Sequence, residues 1–136
     1  MSIKVKVEVE ELTNDQMIDI LSAMDYSIHY WVKMLSTWPM EYERAAKLYK
    51  QSIHSSEEPT YEDILLYVLK SGGKLLIELY EKVEGKNEYF LTLEGIKEGL
   101  SKGMTIGHIS TAISQWDAHD YDAVIQFSLF GELIFG

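Results

Sequence analysis

Three times along this chain an N-cap residue is followed, three positions later, by a side chain able to reach back to it: Thr13 and Gln16, Thr60 and Asp63, Asp117 and Asp120. Such a pair satisfies amides that a helix start leaves free, so each one fixes where a helix begins. Aspartate is shorter than the usual Glu or Gln, so the box at Asp117 is approximate. Leu12 and Met17 add staple positions to the first start. The last start governs the closing stretch, WDAHDYDAVIQFSLFGELIFG. Tyr121, Val124, Ile125, Ser128 and Leu129 fall there at helical spacing and predict a core-facing stripe. Gly131 suits the left-handed residue that closes a helix, and 132–135 is short and apolar enough for a terminal strand.

The other segments are placed by the same rules. Ile3, Val5, Val7 and Val9 alternate with Lys4, Lys6, Glu8 and Glu10, which predicts a half-buried N-terminal strand. From Thr13 the stripe Met17, Ile20, Leu21, Met24, Ile28, Trp31, Val32 and Leu35 predicts a helix over 14–36, stopped by Trp38-Pro39. Tyr42, Ala45, Ala46 and Tyr49 favour a short helix within 40–50, and 51–59 reads as a polar loop. Thr60 starts a helix through Ile64, Leu65, Tyr67, Val68 and Leu69 that ends at Gly72-Gly73. Residues 74–83 predict a strand, 84–87 a turn and 88–91 the returning strand. Thr92 caps a helix through Ile96 and Leu100 that ends near Gly103, although Gly95 and Gly99 count against it. The state of 104–115 stays open. The sum is an α+β fold in a single domain, 1–136: a small sheet (N-terminal strand, central hairpin, short C-terminal strand) covered by about four helices.

Composition narrows the function. The formal net charge is −10 and the one arginine is Arg44. Nucleic acid is anionic and normally meets a basic face, so direct DNA or RNA binding is not expected. An acidic surface suits basic partners instead, including the nucleic-acid channels of other proteins, and also keeps a small protein soluble. There is no cysteine, which removes disulfides and thiolate chemistry and fits a reducing cytoplasm. No apolar run is long enough for a membrane span, and the alternating N-terminal residues do not resemble a signal core.

Two clusters carry ligand-type side chains. Asp117, His119 and Asp120 lie together with Asp122, and imidazole with carboxylate is a zinc, manganese or iron donor set. Capping already employs Asp117 and Asp120, so no metal and no cofactor are expected. Asp25 and His29 stand four apart on the first predicted helix, a spacing that would let the carboxylate orient the imidazole for base catalysis. The ordinary reading is a surface pair. Tyr30, Trp31 and Trp116 are candidate binding residues as stacking groups. No HExxH, GxSxG or P-loop pattern occurs.

ILSAMDYSIHYW (20–31) and the closing stretch together resemble a family of small phage and prophage proteins. Their pattern is a Glu-Gly-Gly-Ile-Asn-Tyr-Trp segment and an Asp-Ala-Asp-Ala-Ile-Val-Gln run followed by Phe-Gly-Glu and an apolar end. The similarity covers most of the chain except 38–58. Here Tyr26 and Ser27 replace the glycine pair and His29 the asparagine, while Tyr30-Trp31 is shared. The resemblance implies a phage context and no chemistry, since the family has no established activity.

The leading expectation is therefore a non-enzymatic phage-type protein that binds a host or phage protein in the bacterial cytoplasm, for example as an inhibitor of a host nuclease or defence complex. A homo-oligomer stays open. The alternatives are a metal-dependent enzyme built on Asp117, His119 and Asp120 or on Asp25 and His29, and a nucleotide-sequestering protein that stacks its ligand on Tyr30, Trp31 and Trp116.

Overall fold

The computed structural model describes residues 6–9, 11–53 and 56–136. The fold is α+β, with five α-helices and one three-stranded antiparallel sheet among the described residues. In chain order the elements are α1 (Asn14–Ser27), β1 (Val32–Trp38), α2 (Tyr42–Ser52), α3 (Tyr61–Lys70), β2 (Lys74–Val83), β3 (Lys86–Leu91), α4 (Leu93–Thr105), a 3-10 turn (Ile113–Gln115) and α5 (Ala118–Phe130). All three capping boxes form: Thr13, Thr60 and Asp117 each accept from the amide three residues on and receive its side chain in return.

The central hairpin forms as β2 and β3, but the remaining strand of the sheet is not one of those expected. The sheet order is β1-β2-β3, and the first of these comes from the second half of the helix predicted over 14–36. The cause is a bulge. The pairing register shifts between Val32 and Met34, so Val32 faces Leu79 while Leu35 faces Ile77. Two inward residues of a strand thus stand three apart in sequence, which imitates helical spacing. The N-terminal strand lies partly outside the described residues (1–5 and 10). Residues 6–9 form no strand; Val7 is tied to α4 by a bond from its amide to Thr105 Oγ1 and one from Ser101 Oγ to its carbonyl. The hairpin is tighter than predicted, with Glu84 and Gly85 both at positive φ (51° and 79°), as a two-residue turn of type I′ demands.

α5 is the centre of the molecule. Residues 122–127 are all buried, so this helix is enclosed on every side. Leu75, Ile77 and Leu79 on the inner face of β2 belong to the same core cluster as α5; β3, α1 and α4 contact α5, and α3 packs on β1 and β2. α4 lies directly against α5, and this explains its glycines. A Cβ on Gly99 would stand 2.5 Å from the Ser128 nitrogen, and one on Gly103 would stand 2.3 Å from Ile109 Cδ1. Gly99, which weakens the helix locally, is what lets the two backbones approach, while Gly103 makes room for the Ile109 side chain. A satellite cluster of Ala45, Ile64 and Val68 fixes α2 on α3.

Residues 132–135 are a second correction. They pair with no strand. Gly131 closes α5 at φ 72°, and the following segment folds back over the aromatic end of the core. Leu133 and Phe135 pack against the core, while Ile134 is exposed.

Candidate functional site

The two most distinctive stretches of the sequence meet in space. Ile28, the C-cap of α1, starts the turn that delivers Tyr30 and Trp31 to the flank of α5. There Trp31 Nε1 donates to Asp122 Oδ1 at 2.9 Å, and the Tyr30 hydroxyl donates to Asp122 Oδ2. Gln126, one turn further along α5, donates to the same Oδ1 at 2.9 Å. A buried carboxylate is thus held by three neutral donors and, among the described residues, by no cation.

Gln126 uses its whole amide. Its second N–H donates to the Phe135 carbonyl at 3.1 Å, and its oxygen accepts from the amides of Ile134 and Phe135 at 2.7 and 2.8 Å. One side chain therefore takes up backbone groups that the expected strand would have paired with a neighbour. Phe135 stacks on Trp31, with ring centroids 5.2 Å apart and 12° between planes, and Phe130 closes on both. Burial first, and then the bond to Asp122, raise the Tyr30 phenol far above the ordinary tyrosine range.

This assembly is closed rather than receptive. Trp31 is 2 % exposed and its face is covered by Phe135. Trp116 is also buried; its Nε1 donates to the Ser110 carbonyl at 2.8 Å, and its ring meets Tyr121 edge-on. Of the proposed stacking groups only Tyr30 reaches solvent, and its hydroxyl is engaged.

The ligand-type clusters are separated. Asp117 and Asp120 exchange capping bonds, and the backbone bond from the Asp120 amide holds the Asp117 carboxyl below its ordinary range. His119 stands exposed on the same turn. Asp25 and His29 share no hydrogen bond; His29 Nδ1 instead lies 3.0 Å from the Tyr26 carbonyl, because the helix ends between them. Among the described residues no three His, Asp or Glu side chains converge as a metal-ligand set, and no helix is long and apolar enough to cross a membrane.

What remains open to solvent is the outer face of the sheet. Met34, Trp38, Tyr80 and Phe90 are 56 %, 45 %, 62 % and 44 % exposed. Trp38 and Phe90 come from the two edge strands, yet their rings meet at 5.3 Å across β2. Lys74 sits over both, 5.6 and 5.2 Å from the ring centroids. The next rows across the face are Ser36–Leu76–Phe90 and Met34–Glu78–Glu88. Besides Lys74, the face carries Lys33, which reaches Glu78 at 3.8 Å.

The sequence reading did not single out this face or Gln126, and it named Asp122 only in the metal-ligand cluster with Asp117, His119 and Asp120. Signals for both were present. β2 reads KLLIELY, apolar on both faces, where a sheet with one wet side would alternate cleanly. Asp122 and Gln126 stand four apart within the otherwise apolar run of α5. No protein-family model, curated protein or solved structure matches this chain.

Proposed function

We propose that this chain is a non-enzymatic binding protein of the small phage accessory kind, acting on a host or phage protein in the cytoplasm of an infected or lysogenic bacterium, and that it docks through the outer face of its sheet. The observation that carries this reading is the grouping of Met34, Trp38, Tyr80 and Phe90 as large exposed side chains on one side of three strands. Aromatic residues and Met are the types enriched in the centre of protein interfaces, and a contiguous exposed apolar patch marks such sites. The phage context rests on the resemblance of 20–31 and the closing stretch. Inhibition of a host nuclease or defence complex is the concrete form that the charge of −10 favours, because such partners carry basic channels.

The test is affinity capture from bacterial lysate with two baits, the natural chain and a Trp38→Ala/Phe90→Ala variant. A protein retained in near-stoichiometric amount by the first bait and lost from the second is the expected result. Equal recovery by both would remove the sheet face from the reading.

A further inference from the structure

The outer face has a charge pattern that its own fold does not need. Glu78 and Glu88 are direct cross-strand partners. Like charges in that position repel, so the pair weakens the sheet it belongs to. Lys33 offsets part of this at Glu78, from 3.8 Å with its side chain 55 % exposed. Glu88 has no ion-pair partner among the described residues. Beside the two carboxylates stand Met34 and Tyr80; Phe90 lies one row away and Trp38, which it meets, lies two rows away beside Lys74.

We infer that this face takes a protein surface that presents arginine among apolar side chains; the inference rests on the docking function proposed above and names the chemistry of the partner. Arginine fits each element. Its planar guanidinium can bond a carboxylate through two N–H groups and can lie flat on an aromatic ring, whereas lysine offers a compact, strongly hydrated charge. A partner's arginine over Glu78 and Glu88 would remove the repulsion, while its apolar neighbours cover Met34, Leu76, Tyr80 and Phe90. Charge argues against a second copy as the occupant. A copy would bring another Glu78–Glu88 pair to the contact; the cations it would bring on this face, Lys33 and Lys74, are engaged with Glu78 and with the Trp38 and Phe90 rings, and its one arginine, Arg44, lies on α2.

The test pans a displayed random dodecapeptide library on the immobilised full-length chain. Enriched peptides are then titrated by fluorescence anisotropy against the natural chain, Glu78→Gln/Glu88→Gln and Trp38→Ala/Phe90→Ala. Enriched peptides should share an arginine flanked by aliphatic or aromatic residues. Each double variant should weaken binding by about tenfold or more, the range of an interface anchor, and binding to the natural chain should weaken as salt rises. The glutamine variant removes a repulsion between surface groups and so keeps the fold; if the alanine variant fails to fold, the glutamine variant decides alone. Loss of binding with Trp38→Ala/Phe90→Ala but not with Glu78→Gln/Glu88→Gln overturns the arginine inference and leaves docking through the face intact. Indifference to both variants, or a library that yields no enrichment, overturns both. A concentration-dependent dimer in light scattering, abolished by Trp38→Ala/Phe90→Ala, assigns the face to a second copy and also overturns the inference.

Discussion

Trp31 Nε1 and Asp122 Oδ1 lie 2.9 Å apart although 91 positions of sequence separate them. That bond joins the turn after α1 to the helix at the centre of the core. An indole N–H can only donate, and Gln126 donates to the same oxygen, so Oδ1 must accept from both. The Tyr30 hydroxyl donates to Oδ2.

Asp122→Asn tests this. Asparagine keeps the shape but presents one NH2 group to a set of donors. Its oxygen can serve Trp31 and Gln126 only if its NH2 faces the Tyr30 hydroxyl, which must then accept instead of donate, and the bonds to a charged carboxylate become bonds to a neutral amide. The expected loss is about 1 to 2 kcal/mol, the difference between hydrogen bonds to a charged and to a neutral group. Denaturant unfolding measures it. A variant within about 0.5 kcal/mol of the natural chain, the scatter of neutral surface changes, would mean that the carboxylate is not required.

The Tyr30 phenol makes a prediction at alkaline pH. Its pKa is raised in the fold by burial and by Asp122, above the unfolded value of 10.0. Burial also raises Tyr61 and Tyr121. A raised folded pKa means that the native state holds the proton more tightly. The associated stability is fully present below about pH 10 and is lost as pH rises through the folded values. The melting temperature should therefore fall above about pH 10. Tyr30→Phe should start lower at pH 8, having lost the bond to Asp122, and should decline less steeply. Parallel curves for the two proteins would show that Tyr30 does not contribute to the slope.

How much of this was legible varied with how local each signal was. The helix starts at Thr13, Thr60, Thr92 and Asp117 were readable because a cap is settled within four residues. The turn at Glu84-Gly85 was readable for the same reason, though the returning strand begins at Lys86, two residues before the start expected for it. The bulge at Lys33 was not, since its inward spacing of three is what a helix also gives. Nor was the Glu78–Glu88 pair. Counting back from the turn pair Val83↔Lys86 would place Glu88 opposite Glu81, but a second register shift moves it to Glu78 and brings Leu91 opposite Leu75. That shift lets the inner face bury Leu91, a gain the turn alone does not encode. The site was half legible. Tyr30 and Trp31 were marked as candidates, but their partners lie 91 and 92 positions away, and nothing local ties them to Asp122.

Gly99 supplies a prediction of opposite sign to helix propensity. In an isolated helix Gly→Ala is stabilising by about 1 kcal/mol. Here the added methyl would stand 2.5 to 2.8 Å from the backbone of Phe127 and Ser128. Backbone cannot yield as a flexible side-chain tip can, so α4 and α5 would have to part. Gly99→Ala should cost about 1 to 3 kcal/mol, the usual range for overpacking. Gly107→Ala is the contrasting control: it meets no atom within 4 Å but has a φ of 81°, so its penalty comes from backbone strain alone. An increase in melting temperature for Gly99→Ala would show that the two helices are not in close contact.

Gln126→Glu separates the tail's hydrogen bonds from its apolar packing. The glutamate keeps an oxygen for the Ile134 and Phe135 amides, but a second oxygen replaces the nitrogen that lies 2.9 Å from Asp122 Oδ1. Two carboxylates this close cannot both ionise without a large penalty, so the pair should hold a proton with an apparent pKa above the usual carboxylate range. A raised folded value gives stability that is complete at low pH and lost as pH rises through it. Gln126→Glu should therefore melt well below the natural chain at pH 8, with the gap narrowing toward pH 5. Removing the tail by a stop after Gly131 should lower stability at both pH values alike, because it deletes the packing of Leu133 and Phe135 and adds no charge. A gap between Gln126→Glu and the natural chain that stays constant from pH 5 to 8 would mean that Gln126 and Asp122 are not in contact in solution, and that the tail is held by Phe135 on Trp31 instead.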